Sequence, residues 1–440
     1  MGRPKKIKQE VKQKIKQKLI LPVRGMEDIL SQDEKYWDYL LFFSEKYARA
    51  FGFKKIETPV LERTELFVRG IGVNSDIVSK EMFSFQDRGG DNLTLRPEWT
   101  AGIIRAYIQH GMLNLPQPVK VYSFGPLFRH ERPQAGRWRQ FHQVNFEVIG
   151  NRQPVIDAQI VSCAWKILQK LGLKNIEVQI NSIGCGICRP AYVQVFLDFL
   201  AKRRLRLCDD CKKRLKKNPL RVLDCKREKC QIILSEAPQI IDHLCDNCHQ
   251  HFKQVLEYLD EVEIVYNLNP KLVRGLDYYT KTVFEIWQKD DIKGKVALGS
   301  GGRYDDLVEL LGGKKTYACG IALGVERIIE QIKKQNILMP EKRKADVLFI
   351  QLGELAKKKA LKHIYDLIEN DINVCEIFHK DSIKTQLGIA NSLKVKFVVI
   401  LGQKEVLDGT ILIRDMTTGV QEIINIEKLI PELKKRLNHS

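Results

Sequence analysis

The sequence lacks the signatures of several large protein classes. Its 440 residues contain no run of eighteen apolar residues, and the first residues show no apolar core, so we expect neither a membrane span nor a secretion signal. There is no Walker A loop (G-x-x-x-x-G-K-S/T), and no G-x-G-x-x-G follows a predicted strand. P-loop nucleotide hydrolysis and dinucleotide-dependent redox chemistry are therefore not indicated. Apolar and charged contents of 44% and 29% are near globular averages and argue against wholesale disorder.

Acidic residues are scarce relative to basic ones: 54 against 73, a formal net charge of +19. This excess favours a polyanionic partner, usually nucleic acid, although evenly spread lysines would also produce it. Basic residues cluster in Lys202–Arg221 and in a basic N-terminal extension over residues 1–20. In the extension, apolar residues recur every fourth position from Ile7 to Leu19. That stripe is narrow, so we expect a solvated tail rather than a helix lying on RNA.

The sequence contains eleven cysteines, an odd number, and no secretion signal. Both observations predict a protein of the reducing cytoplasm, without a disulfide framework. Eight of the eleven form four short-spaced pairs, which are Cys185 and Cys188, Cys208 and Cys211, Cys225 and Cys230, and Cys245 and Cys248. Thiolates two to four residues apart can share one tetrahedral zinc, so eight ligands predict two structural Zn²⁺ sites. The alternative is a set of small buried apolar residues. The spacing leaves open which pair joins which.

An arginine-rich turn lies between two strand-like runs, Pro118–Phe124 and Phe141–Ile149. The alternation of apolar residues in both runs predicts a β-hairpin with a long loop. The loop is interrupted by proline and glycine and carries Arg129, Arg132, Arg137 and Arg139. Guanidinium groups clamp phosphate oxygens with two hydrogen bonds, so the loop indicates a polyphosphate or nucleic-acid ligand, the alternative being a solvated hairpin tip.

The C-terminal region has a different pattern. After a charged linker at Glu341–Lys344, apolar runs alternate with helical segments, at Val347–Leu352, Ala356–Asn370, Val374–Phe378, Ile383–Leu393 and Phe397–Leu401. This alternation predicts a compact α/β domain with a mostly parallel sheet over residues 345–440. Farther upstream we predict a helix over Asp33–Phe51, followed by a strand over Phe53–Leu61 that contains Pro59.

Four other segments are rich in polar residues and glycine. One precedes the hairpin in the sequence, TLRPEWT at 94–100, and three follow it, LVRGLDYYT at 272–280, GSGGRYD at 299–305 and CGIALGVER at 319–327. The hairpin resembles motif 2 of the class II aminoacyl-tRNA synthetases, the helix and strand before it resemble motif 1, and the last segment resembles motif 3. LVRGLDYYT and GGRYD resemble the two histidine-specific signatures of the histidyl-tRNA synthetase family. The resemblance extends over nearly all of residues 21–440.

The resemblance implies an α+β catalytic core over residues 21–335, with an antiparallel six-stranded sheet flanked by helices. The Cys-rich, basic segment at 183–260 lies between two strand-like runs, so we expect it to be a helical insertion in this core. The C-terminal α/β domain would bind the anticodon, and the protein would be a homodimer. It would activate L-histidine with ATP and Mg²⁺, release pyrophosphate, and transfer histidine from the adenylate to the 3′ end of tRNA(His). Apart from the resemblance, the basic run Lys202–Arg221 leads us to expect that the insertion holds the acceptor region of that tRNA.

The resemblance also implies roles for single residues. Glu98, Thr100 and Gln143 would bind the ammonium group of histidine, Glu147 and Tyr279 the two imidazole nitrogens, and Tyr278 would line the pocket. Arg129 would bind the α-phosphate of ATP, Arg137 and Arg327 the β- and γ-phosphates, and Phe141 would stack on adenine. Arg274 would stabilise the charge that develops in the transition state. Two residues depart from the family pattern: Trp99, which would also border the histidine pocket, replaces a usual glycine, and Asn145 replaces a usual small residue.

Two other functions fit parts of the sequence. A regulatory paralogue of these synthetases would bind histidine and partner an ATP phosphoribosyltransferase instead of charging tRNA. Such paralogues typically lack the anticodon domain and part of the arginine set, whereas here Arg129, Arg137, Arg274 and Arg327 are all present. A zinc-stabilised RNA-binding protein without catalysis would explain the charge and the cysteines, but not the pairing of Glu147 with Tyr279. The synthetase hypothesis is therefore favoured.

Overall fold

The computed structural model describes residues 19–438, except Asn74, Ala135, 290–296 and 341–344. The chain divides between Met339 and Pro340 into two compact units, each with its own buried cores. The apolar stripe predicted within residues 1–20 lies outside the described residues, apart from its last member, Leu19. Among the helices that the structure describes, none combines the length and apolar character needed to cross a membrane.

The strands of the first unit are β1 (Lys54–Lys55), β2 (Leu61–Arg63), β3 (Ser84–Gln86), β4 (Asn92–Leu95), β5 (Val119–Phe128), β6 (Gln140–Ile149), β7 (Ile176–Ser182), β8 (Tyr266–Leu268), β9 (Thr280–Gln288), β10 (Ala297–Arg303) and β11 (Ala318–Gly324). Its helices are α1 (Glu34–Ala50), α2 (Thr64–Ile71), α3 (Thr100–Gln109), α4 (Pro154–Lys170), α5 (Cys188–Ala201), α6 (Asp209–Lys217), α7 (Glu228–Leu234), α8 (Asp246–Glu261), α9 (Leu307–Leu310) and α10 (Val325–Lys334).

The main sheet has the strand order β1-β5-β6-β11-β10-β9-β7-β8. All neighbours from β5 to β7 are antiparallel, which agrees with the expected six-stranded core, while β1 and β8 add a short parallel strand at each edge. The single strand predicted over Phe53–Leu61 was wrong. Two separate strands, β1 and β2, flank Pro59, because proline has no N–H to donate to a continuous ladder.

The predicted hairpin is confirmed. Strands β5 and β6 pair without interruption from Val119 opposite Ile149 to Phe128 opposite Gln140, and the arginine-rich loop joins them. The helix α4 contacts β11 of the sheet and the helices α1 and α8. Its side chains are buried nearly all round, as expected of a helix between two layers.

A buried ion pair joins three of these elements. Arg303 of β10 donates to both carboxylate oxygens of Asp157 in α4, and both side chains have no exposed surface. His251 of α8 lies 3.4 Å from Asp157 Oδ1 through its Nε2 atom. Burial alone would raise the pKa of Asp157, but the Arg303 guanidinium and the contact with His251 hold it far below its usual range. The carboxylate is therefore charged at neutral pH, as a buried ion pair requires.

Between β7 and β8 the chain leaves the sheet and forms the helices α5 to α8, with short 3₁₀ turns at Arg204–Arg206, Pro219–Val222 and Ile240–His243. Of its paired cysteines, six are buried and two, Cys185 and Cys245, are partly buried. This segment includes the Lys202–Arg221 basic run, whose side chains at Arg204, Arg206, Lys213, Lys216 and Lys217 are exposed. The last helix of the segment, α8, packs against α4, which contacts the main sheet.

The second unit contains the strands β12 (Val347–Leu352), β13 (Val374–Glu376), β14 (Phe397–Gly402), β15 (Thr410–Asp415) and β16 (Gln421–Asn425), and the helices α11 (Glu354–Glu369), α12 (Ile383–Leu393), α13 (Gln403–Asp408) and α14 (Leu429–Asn438). The order is β13-β12-β14-β15-β16. Strands β13, β12 and β14 are parallel, as predicted. The sheet is nevertheless mixed, because β15 and β16 add an antiparallel hairpin that the sequence pattern did not reveal.

Alternate residues of β12 and β14 belong to separate cores on the two faces of this sheet. Val347 and Phe349 face one core, and Leu348 and Ile350 face the other. Burial on both faces explains why these strands appear in the sequence as continuous apolar runs rather than alternating ones.

Candidate active site

Strand β6 supplies one wall of the candidate site. Because side chains of a strand alternate between faces, Phe141, Gln143, Asn145 and Glu147 share one face. They line two adjoining cavities, a cleft of about 620 Å³ and a smaller, more polar pocket of about 40 Å³. Gln143 lines both cavities, and the other residues common to both linings are Arg129, Arg274, Leu276, Ser300 and Ala322.

Glu98 lies at the N-terminus of helix α3, where backbone N–H groups lack partners within the helix. Its carboxylate accepts hydrogen bonds of 2.7 Å from the backbone N–H groups of both Thr100 and Ala101. Tyr278 Oη stands 3.4 Å from Glu98 Oε2. Burial raises the pKa of Glu98, while the two N–H donors act in the opposite direction. A buried carboxylate at a helix N-terminus can bind a cation without leaving its own oxygens unpaired.

Glu147 is the second carboxylate of the small pocket, and all three of its hydrogen bonds come from side chains. Thr100 donates to Oε1 over 2.7 Å, Asn145 donates to the same oxygen over 2.9 Å, and Tyr304 donates to Oε2. The pKa of Glu147 is raised to about 7, because burial and, to a smaller extent, the charge of Glu98 raise it more than the three hydrogen bonds lower it. The group therefore changes protonation near neutral pH.

Tyr304 had no role assigned from the sequence, although it belongs to the GGRYD segment. Its hydroxyl bonds Glu147, and its ring lies against those of Tyr278 and Tyr279 with centroid separations of 5.6 Å and 6.5 Å. Asn145, noted from the sequence only as a departure from the family pattern, also contacts Glu147. Both contacts could have been anticipated from position: Asn145 is two residues from Glu147 on one strand, and Tyr304 follows a glycine-rich strand of the same sheet.

Arg274 lies where the two cavities meet. It donates to Glu285 and, over 2.8 Å, to Ser300 Oγ, and its guanidinium carbon stands 5.3 Å from the centre of the Tyr279 ring. Glu285 is in turn bonded by the Trp287 indole N–H over 2.7 Å. These contacts fix the guanidinium of a loop residue against strands β9 and β10.

The larger cleft brings together three of the predicted phosphate-binding arginines, Arg129, Arg137 and Arg327. Arg327 donates to the carbonyl oxygens of Gly136 and Ala297, each over 3.0 Å. Burial lowers the pKa of Arg327, and the positive charges of Arg129 and Arg137 lower it further. Mutually repelling guanidinium groups in one partly buried cleft are typical of an anion site.

The remaining arginines of the hairpin loop, Arg132 and Arg139, are not among the residues that line the cleft. Arg139 instead donates to the Glu131 carbonyl over 3.3 Å. Phe141, the residue predicted to stack on adenine, lines the cleft with its ring centre 5.2 Å from the Arg129 guanidinium.

Trp99 is buried, with 1% of its surface exposed, and it contributes to the wall of the small pocket. The Arg96 guanidinium stacks on its ring at 3.7 Å, a cation–π contact. A Cβ atom at Gly125 would lie 3.3 Å from the same indole. The large ring is therefore accommodated between Arg96 and a glycine of strand β5.

The cysteine pairs form two clusters in space. The first cysteine cluster contains Cys185, Cys188, Cys245 and Cys248, and the second cysteine cluster contains Cys208, Cys211, Cys225 and Cys230. Within each cluster all four sulfurs lie within 4.8 Å of one another. Sulfur separations such as 3.8 Å for Cys208 and Cys225 match a tetrahedron of four Zn–S bonds of about 2.3 Å. The structure thus supplies the pairing that sequence spacing left open.

The antiparallel sheet, the arginine hairpin and the polar pocket beside it define a class II aminoacyl-tRNA synthetase core. A family model described as histidyl-tRNA synthetase matches residues 25–328, and one described as an anticodon binding domain matches residues 346–436. The chain belongs to the histidyl-tRNA synthetase family.

Similar proteins agree with this family membership. The chain is 44% identical to histidine–tRNA ligases from Dehalococcoides mccartyi and Halothermothrix orenii, over 94% of its own length and 99% and 98% of theirs. Among solved structures, the apo histidyl-tRNA synthetase of S. aureus superimposes with a TM-score of 0.78 at 33% identity, covering 94% of this chain and 99% of that one.

Proposed function

We propose that this protein is a histidine–tRNA ligase, which activates L-histidine with ATP and transfers it to the 3′ end of tRNA(His). One observation carries the proposal: a small pocket containing two buried carboxylates, Glu98 and Glu147, opens beside a cleft lined by Arg129, Arg137 and Arg327. The pocket suits a small zwitterion with a polar ring, and the cleft suits a triphosphate.

The ammonium group of histidine would bind Glu98, together with Thr100 and Gln143. The imidazole ring would bind Glu147 and Tyr279, with Tyr278 and Trp99 forming the walls. Since neutral imidazole has one donor and one acceptor nitrogen, a pocket with matching polar groups rejects apolar rings of similar size, whose binding would leave these groups unpaired. The hydrogen bonds of Thr100, Asn145 and Tyr304 support this role by holding the Glu147 carboxylate in place.

ATP would lie along the cleft, with its α-phosphate on Arg129, its β- and γ-phosphates on Arg137 and Arg327, and adenine stacked on Phe141. Mg²⁺, when bound with ATP, would neutralise part of the phosphate charge. Arg274, held by Glu285 and Ser300 where pocket and cleft meet, would contact the α-phosphate as negative charge accumulates there.

The chemistry needs no strong base in the first step, because the histidine carboxylate is already ionised at neutral pH. A carboxylate oxygen attacks the α-phosphorus, the bond to the bridging oxygen of the β-phosphate breaks, and pyrophosphate leaves. Catalysis is then positioning and electrostatic stabilisation of the transferring group. In the second step the terminal ribose hydroxyl of tRNA attacks the activated carbonyl carbon, and AMP leaves.

We further propose that each cysteine cluster binds one structural Zn²⁺. All-cysteine sites keep no open coordination position, so this zinc would stabilise the insertion rather than take part in the reaction. Metal analysis of the purified protein tests the proposal, with about two zinc ions per chain as the expected result. Clustered reduced thiols also fit the proposed cytoplasmic location.

The exposed cations of the Lys202–Arg221 run are proposed to contact the tRNA acceptor region. Two of the run's arginines face inward instead: Arg221 and Arg214 reach Asp76 at 2.7 Å and 3.9 Å. Reversing the charge of Lys213 and Lys216 should therefore weaken tRNA binding and leave adenylate formation intact. The contrary result, unchanged tRNA affinity, would remove this contact from the account.

The proposed domain division is a basic extension at residues 1–20, a catalytic domain at 21–335 with its insertion at 183–260, and an anticodon-binding domain at 345–440. A homodimer would form through helix α1 and the segment around Pro59, the counterpart of motif 1. Light scattering of the purified chain would give twice the chain mass of 50.9 kDa if the dimer forms.

The activation step is tested by exchange of labelled pyrophosphate into ATP, with purified protein, no tRNA and each amino acid in turn. Exchange with histidine alone would support both the reaction and its specificity. Histidine binding without exchange would favour the regulatory paralogue.

A further inference from the structure

The loop Leu272–Tyr279, the recognition loop, carries Arg274, Tyr278 and Tyr279 but has no helix or strand of its own. Its conformation therefore depends on contacts with neighbouring elements. Part of that support comes from the catalytic core, since Asn181 donates to the Leu272 carbonyl over 3.0 Å and the Asp277 N–H bonds Ile71. The rest comes from the cysteine-rich insertion.

The second cysteine cluster encloses the turn that touches the recognition loop. Asn218 and Arg221 lie between Cys211 and Cys225, on the segment that the cluster closes. Asn218 donates to Asp277 Oδ1 over 2.8 Å. Arg221 lies so close to Gly275 that a Cβ atom there would stand 2.8 Å from its Nη1, and its Nη2 bonds Asp76 over 2.7 Å.

Asp76 extends this contact to the larger cleft. It directly precedes the turn Ile77–Glu81, and Asp76, Ile77 and Glu81 all line the cleft beside Arg129 and Arg137. Arg221 therefore joins two segments that border the site, the recognition loop and the Ile77–Glu81 turn.

The first cysteine cluster contributes a third contact. Arg189 follows Cys188 directly, and its guanidinium donates to the carbonyl oxygen of Tyr279 over 2.6 Å. The same side chain bonds the carbonyls of Ile183 and Gly184, at the point where the chain enters the insertion. Each cluster thus holds a side chain that bonds the recognition loop.

We infer that metal binding to the cysteine clusters is coupled to histidine binding in the small pocket, through contacts of Asn218, Arg221 and Arg189 with the recognition loop. The inference rests on the proposed function. The insertion has buried apolar residues of its own, but the turn that carries Asn218 and Arg221 is closed by the second cysteine cluster, and Arg189 adjoins the first. Bound metal would therefore fix the position of these three side chains against the recognition loop. Because coupling between two binding sites is reciprocal in affinity, ligands that order the recognition loop also tighten the binding of metal.

The test uses the full chain and a chromogenic zinc chelator. The affinity for zinc is measured by equilibrium competition with the chelator, for the protein alone, with histidine, and with histidine plus ATP and Mg²⁺. Bound ligand is expected to protect the coupled zinc by raising its affinity about 10-fold, a typical coupling between sites. Equal zinc affinities with and without bound histidine would overturn the inference, as would a purified protein without zinc.

Variants distinguish the loss of contacts to the recognition loop from a general destabilisation of the protein. Asn218→Ala combined with Arg221→Ala should retain two zinc ions per chain, raise KM for histidine about 10-fold in pyrophosphate exchange, and lose the protection by ligand. Arg221→Lys keeps a positive charge beside Asp76. This variant should therefore retain part of the protection by ligand that the double variant loses. Gln194→Ala is the matched control, since this exposed amide of the insertion bonds only Asp198, over 2.9 Å, among the contacts described for it.

The outcomes distinguish failure of the inference from failure of the proposed function. One outcome is that histidine binds to the wild-type protein and protects its zinc, but no pyrophosphate is exchanged. This outcome would contradict the proposed function and support the coupling. Normal exchange with no protection, or protection retained in the double variant, would contradict the coupling alone.

Discussion

Gly320 lies directly opposite Glu147 in the pairing of β11 with β6, and a Cβ atom at Gly320 would stand 1.6 Å from Glu147 Oε2. The missing side chain leaves the space in which the Glu147 carboxylate reaches Tyr304 and Thr100. A glycine in the motif 3 strand thus determines where the carboxylate of the motif 2 strand can lie.

Replacing Gly320 with Ala should displace the Glu147 carboxylate, because both groups would occupy one position. We expect a fall in kcat/KM for histidine of about 10²-fold, the size of effect that a misplacement near 1 Å produces. Steady-state pyrophosphate exchange measures it. Gly388→Ala is the matched control: a Cβ atom there meets nothing within 4 Å, so activity should stay at the wild-type level.

The raised pKa of Glu147 predicts a dependence of stability on pH. Between the ordinary carboxyl pKa of 4.5 and the folded-state pKa of about 7, the unfolded chain has released a proton that the folded chain keeps. Folding then takes up a proton, so this group's contribution to stability is present below pH 4.5 and is lost as pH rises through 7.

Glu147→Gln cannot titrate, so it should gain stability relative to wild type as pH rises from 4.5 to 8. The gain should be on the order of 3 kcal/mol, because folding raises the pKa from 4.5 to about 7. Denaturant unfolding of the ligand-free proteins at several pH values gives the difference. A constant difference across this range would show that Glu147 titrates normally in the folded protein.

Arg274→Ala should lower kcat for histidine activation by roughly 10²-fold or more, because the guanidinium acts on charge that develops only in the transition state. KM values should change less. Arg274→Lys retains the charge, but an ammonium group lacks the planar guanidinium that donates to Glu285 and Ser300 at once. The activity of this variant should therefore remain well below wild type. Near wild-type turnover of the alanine variant would remove Arg274 from the reaction.

Within the hairpin loop, Arg137 and Arg132 should behave differently. Arg137 lines the cleft and Arg132 does not. Arg137→Ala should raise KM for ATP about 10-fold, the loss expected for one charge-assisted contact, whereas Arg132→Ala should leave it unchanged. Equal effects of the two substitutions on exchange kinetics would indicate that the whole loop closes on the triphosphate.

Much of the fold was predictable because its signals are local. The β5–β6 hairpin follows from period-two alternation around a loop, and β12, α12 and β14 follow from apolar runs of strand and helix length. The strands β1, β2 and β16 were not predicted correctly, because their local sequence signals are weak or ambiguous. Pro59 separates β1 from β2, and the exposed alternation in β16 is too weak to mark a strand.

Contacts at long sequence separation could not be read from spacing. Cys185 and Cys188 join Cys245 and Cys248 only because β7 and α8 bring the two ends of the insertion together. The bond from Tyr304 to Glu147 likewise depends on the register of the central sheet. The ring of Trp99, which replaces a usual glycine, lies between Arg96 and Gly125. Its contact with Gly125, 26 positions along the chain, could not be inferred from the sequence around Trp99.

The most direct test of the central claim is charging of tRNA(His) by the full chain with labelled histidine, ATP and Mg²⁺, with a noncognate tRNA in parallel. Acid-precipitable histidine on tRNA(His) alone is the predicted result. Histidine-dependent pyrophosphate exchange without any charging would contradict the account, because it would leave an enzyme that makes the adenylate but is no tRNA ligase.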